Sequence, residues 1–135
     1  MKKYFSLIFI LALNSIIAFS QNKPIKVGSD KDKHGCIGAA GYVYSAIKND
    51  CIRVFEQNIQ LREVDSKGKS KSIAAIIFSD DKSKAEVFLE GYTAGQILIK
   101  KSSNSVQSWS NNELLLLAKN GFQLYKGKTL LFSLK

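Results

Sequence analysis

The chain has 135 residues, a formal net charge of +9, 45% hydrophobic residues, one histidine and two cysteines. That length is room for one domain with a core of its own. The basic excess does not make it a nucleic-acid binder, because the sequence holds neither a basic helix nor an arginine cluster.

Residues 1–20 read as a signal peptide. Lys2 and Lys3 form a basic start, "YFSLIFILALNSIIAF" an apolar stretch, and Ala18 and Ser20 an A-x-A-like cleavage spacing. The apolar run is short for a membrane span, so no span is expected after cleavage. The mature chain is then residues 21–135, a single β domain whose charge falls to +7. Its compartment would be periplasmic or extracellular. There, Cys36 and Cys51 pair as a disulfide by default.

Next comes "DKDKHG", Asp30 to Gly35. It resembles the opening of a calcium loop, which makes Asp30, Asp32 and His34 weak metal candidates. The twelfth position, where a bidentate glutamate is required, is Gly41, and no helices are expected around the loop. The expectation is therefore no metal and no cofactor. His34 also lacks a nucleophile frame beside it, and no catalytic residues are expected.

"GYVYSAI" and "CIRVFE" bracket the turn "KND" as a hairpin. Tyr42 and Tyr44 share one face of the first strand and Val43 takes the other. In the second, Ile52 and Val54 alternate with Arg53 and Phe55. Only one of the two rows can be buried. If the tyrosines face outward, His34, Tyr42, Tyr44 and Arg53 make a candidate binding surface. If they face inward, they are core.

"IQLREV" is a further strand, and "DSKGKSK" a polar loop separating a disulfide hairpin region (21–65) from a C-terminal meander (72–135). "SIAAIIFS" is apolar throughout. "KAEVFLE" alternates, with Ala85, Val87 and Leu89 on one face and Glu86, Phe88 and Glu90 on the other. "QILIKK", "SVQSWS", "ELLLLA", "FQLYK" and "TLLFSL" complete the series. The leucine run favours helix by propensity, but its length and its flanking "NN" and "KNG" make it a strand. Trp109 is expected in the core. The lysines gather where strands turn: Lys67, Lys69 and Lys71, Lys82 and Lys84, Lys100 and Lys101 after a strand, Lys126 and Lys128. The fold predicted is all-β, an antiparallel meander of eight to ten short strands forming a small barrel or sandwich with one disulfide.

Two resemblances add to this reading. Asp32, His34, Gly35, Cys36, Ile37, Ala40, Gly41 and Tyr42, followed by Cys51, Ile52, Arg53, Phe55 and Glu56, resemble a motif of small exported bacterial proteins, D-x-H-G-C-I-x-S-A-G-Y-x-W…C-I-R-x-F-E. Ala39 stands for its serine and Tyr44 for its tryptophan. The resemblance implies export and a disulfide hairpin, not an activity. The segment from Lys84 to Phe132 is loosely similar to the barrels of C-type lysozyme inhibitors, without their serine- and tyrosine-containing loop motif or terminal cysteine. That implies a small antiparallel barrel. The functional expectation is a non-enzymatic envelope protein that binds or inhibits a protein partner, such as a lysozyme or an envelope component. The alternative is a structural or stress-linked envelope protein without a small ligand.

Overall fold

The computed structural model describes residues 30–64, 67, 72–101 and 105–134. The signal segment, Pro24, Lys69 and Lys71 lie outside the described residues. Among the described residues no helix is long and apolar enough to cross a membrane.

Ten short strands follow one another: β1 (Tyr42–Ser45), β2 (Asp50–Arg53), β3 (Ile59–Glu63), β4 (Ile73–Phe78), β5 (Lys84–Phe88), β6 (Gln96–Lys101), β7 (Ser108–Ser110), β8 (Leu114–Leu117), β9 (Gln123–Lys126) and β10 (Thr129–Ser133). β3 to β10 close into an eight-stranded antiparallel barrel, with β10 returning to β3. β1 and β2 form a separate two-stranded sheet. β3 thus lies N-terminal to the polar loop yet belongs to the barrel. Short linkers do give hairpins, except between β2 and β3, which do not pair. "VFE" departs from the strand expected there and forms a 3-10 turn, Val54–Glu56. Its turn is held by Gln60, whose Nε2 donates to the carbonyls of Phe55 and Gln57. Lys100 and Lys101 end β6 rather than follow it.

Eight strands enclose an interior that side chains alone can fill. Leu61, Ile76, Val87, Leu98, Trp109, Leu116, Leu124 and Phe132 fill it. Trp109 lies 4.8 Å from Phe78 ring to ring, and its indole nitrogen donates to the Lys82 carbonyl at 2.8 Å. A buried indole keeps its packing only if its N–H finds such a partner. "ELLLLA" is a strand because Leu114 and Leu116 point inward while Leu115 and Leu117 lie half-buried on the other side.

A second, smaller core lies outside the barrel. Ala75 and Ile77 of β4 and Phe88 of β5 point away from the interior, yet are buried beneath Ile52, Val43, Ile47 and Val54. The β1–β2 hairpin lies across the outer wall of β4 and β5. That is why "SIAAIIFS" is apolar on both faces: one face fills the barrel and the other is covered.

Candidate functional site

The hairpin's orientation decides the open question about the tyrosines. Val43 and Ile52 are cross-strand partners and face the barrel; Tyr42 pairs with Arg53 and Tyr44 with Cys51 on the outward face. Cys36 and Cys51 are bonded, with their Cα atoms 5.6 Å apart. The bridge ties the 30–37 loop to β2, and Lys31 and Ile37 close the base of that loop as an isolated antiparallel pair.

Asp32 organises the loop. Its Oδ1 accepts the backbone N–H of His34 at 2.8 Å and of Cys36 at 2.9 Å. The Cys36 bond first, then His34, hold its carboxyl below the ordinary range. This is the work of a turn-capping aspartate. Among the described residues no group of three His, Cys, Asp or Glu could hold a metal ion. Asp30 is exposed at the start of the described chain, and His34 turns to another task. The His34 ring stacks on Tyr44 at 3.7 Å with a 4° interplanar angle, and the Tyr44 hydroxyl donates to Asn49 Oδ1.

Beside this stack lies a second one. The Arg53 guanidinium sits 4.6 Å from the Tyr42 ring centroid and 5.9 Å from that of Phe55. Its Nη1 bonds Glu56 at 3.0 Å, which raises its pKa further, with the neighbouring Tyr42 also contributing. Its Nε is buried with no hydrogen-bond partner. Phe55 remains 57% exposed, the most exposed large hydrophobic side chain of the described residues. Gly41, at φ +80°, permits the arrangement because that backbone conformation strains any residue with a side chain. The structure therefore brings His34, Tyr42, Tyr44 and Arg53 onto one outward face and adds Phe55 and Glu56. Residue by residue, Phe55 had only its alternation with Val54 to mark it, since no strand continues through it.

The face is fixed to the barrel by a group that the sequence pattern placed on a polar, outward strand face. Glu86 of β5 does point outward, but it is 1% exposed. Its carboxylate accepts the Ser45 hydroxyl at 2.6 Å, the Ala46 N–H at 2.9 Å and the Ile47 N–H at 3.1 Å. Ser45 Oγ in turn accepts the Lys48 N–H at 3.1 Å. The turn after β1 presents successive N–H groups, and a carboxylate is the natural occupant of such a concavity. Gly95 makes room: a Cβ there would lie 2.5 Å from Glu86 Oε1.

Elsewhere on the barrel, Lys126 bridges Glu113 and reaches the Tyr92 hydroxyl at 3.3 Å. These bonds lower the Glu113 pKa and raise that of Lys126, Glu113 being the larger cause for the lysine. This cluster ties loops together and meets neither stack.

Compared with protein-family models, curated proteins and solved structures, the chain matches none of them.

Proposed function

We propose that this protein is an exported, non-enzymatic envelope component that acts by binding a protein partner through the outward face of its disulfide hairpin. The observation that carries the reading is Phe55, left 57% exposed beside an arginine held against two aromatic rings. Aromatic rings and arginine are the residue types that anchor protein interfaces, because they bury much area at little entropic cost. A disulfide and a buried carboxylate hold this face rigid before any partner arrives, which lowers the cost of binding.

The basic-then-apolar first twenty residues and the paired cysteines support export. The motif around Cys36 and Cys51 supports membership of the small exported bacterial proteins that share it. The specific form proposed is lysozyme-inhibitor-like binding. Its support is the C-terminal resemblance together with a closed antiparallel barrel, the architecture that resemblance implied.

Two measurements test it. The immobilised disulfide-bonded protein should retain a partner from envelope extract, and should slow wall lysis by a C-type lysozyme. Unchanged lysis at large molar excess would remove the inhibitor form. Failure of Phe55→Ala to release the captured partner would remove the binding face.

A further inference from the structure

A groove runs beside β1 and borders the aromatic face at His34 and Tyr44. Two clefts of about 190 and 240 Å³ share Val43, Thr93 and Ala94 and so adjoin. One end is apolar, floored by Phe88 and Leu89. The other reaches Tyr44, Asp32 and Glu86.

The wall of this groove is a strand edge. β1 has β2 on one side and, among the described residues, no strand on the other. The Tyr42 amide donates to the Ile37 carbonyl rather than into the β1–β2 ladder, so it points away from β2 and is already paired. Amides alternate in direction along a strand, and the next to point the same way belongs to Tyr44, which lines the cleft. A free edge beside a groove is the geometry in which an added strand is recognised, by main-chain bonds and by pockets for alternate side chains.

The charge says what kind of strand. Asp32 and Glu90 line the groove, with the buried Glu86 carboxylate behind them, against Lys33 and His34. In a chain of net charge +9, this is a locally acidic trough. It attracts a positively charged segment and repels an acidic one.

We propose that this groove takes an extended, basic segment of a partner protein as a third strand on the β1–β2 sheet, with an apolar side chain of that segment seated against Phe88 and Leu89. A small cation would satisfy the charge but would leave the strand edge unused.

The test uses the disulfide-bonded protein followed by amide NMR, with a capped octapeptide of alternating lysine and valine as the probe. Shifts should concentrate at Val43, Tyr44 and Thr93 to Gly95, with slowed hydrogen exchange at Tyr44. Replacing the lysines by glutamate, or methylating alternate backbone nitrogens of the peptide, should weaken binding about tenfold or more. Ala94→Trp, at an exposed site in the shared part of the groove, should block the peptide. Glu90→Lys, on the exposed rim, should weaken it several-fold. Shifts that map elsewhere, equal binding of the lysine and glutamate peptides, or full binding to Ala94→Trp would overturn the proposal. So would spermidine binding the same residues as tightly, since charge alone would then suffice. Concentration-dependent shifts at the β1 edge without peptide would assign the edge to a second copy of the chain and overturn it as well.

Discussion

The Ser45 hydroxyl donates to Glu86 Oε2 at 2.6 Å, joining two residues 41 positions apart, and both are buried. This contact, with the two turn amides on the same carboxylate, fastens the hairpin to the barrel wall. Glu86→Ala strands the Ser45 hydroxyl and the amides of Ala46 and Ile47. A stranded buried donor costs about 1–3 kcal/mol; only the Ser45 hydroxyl is fully buried and the two amides can regain water, so a total loss of about 3 kcal/mol is expected in denaturant unfolding. Gly95→Ala should cost about 1–3 kcal/mol by crowding the same carboxylate. The double variant should cost less than the two together, because the added methyl no longer meets a glutamate. Strict additivity would show that Gly95 does not act through Glu86.

The β strands were legible because alternation is local. Ala85, Val87 and Leu89 declared the barrel face of β5, and Leu114 with Leu116 that of β8. The outcome for Glu86 was not legible for the opposite reason. Its pattern position is outward, and what covers that outward face is a hairpin far away in sequence. Two signals did point there: Phe88 stands among glutamates on the supposedly polar face, and β4 is apolar on both sides. Together they require a second layer outside the barrel, but not which segment supplies it. The tyrosine rows were undecided for the same reason, since both rows could pack and only the position of the barrel chooses. The calcium-like spelling of "DKDKHG" is ambiguous because an aspartate that caps a turn and one that binds a cation stand alike in sequence.

The disulfide closes a loop with a separation of 15 residues. Replacing both cysteines by serine should lower stability by about 3 kcal/mol through the greater freedom of the unfolded chain. Hydrogen exchange should rise first in the 30–37 loop and β1–β2, while the barrel amides remain protected. A uniform rise over the whole barrel would show that the hairpin is not a separate unit.

Asp81 gives a pH signature. Its carboxylate accepts the Ser83 N–H and the hydroxyls of Ser79 and Ser83, and these bonds, the Ser83 amide first, lower its pKa from 3.8 to about 2. A carboxylate whose folded pKa is depressed contributes stability above its unfolded pKa. That contribution is present above about pH 4 and is lost as the pH falls towards 2. NMR titration should place Asp81 near 2, and Asp81→Asn should flatten the stability curve in that window. A titration at the ordinary value would show that the serine bonds are not held in solution.

The central claim is that Phe55 and Arg53 serve binding rather than folding. The direct measurement pairs unfolding of Phe55→Ala with its capture of partner from envelope extract. Because the ring is largely exposed, the variant should lose less than about 0.5 kcal/mol of stability, while partner capture falls about tenfold or more. Undiminished capture with normal stability would contradict the account.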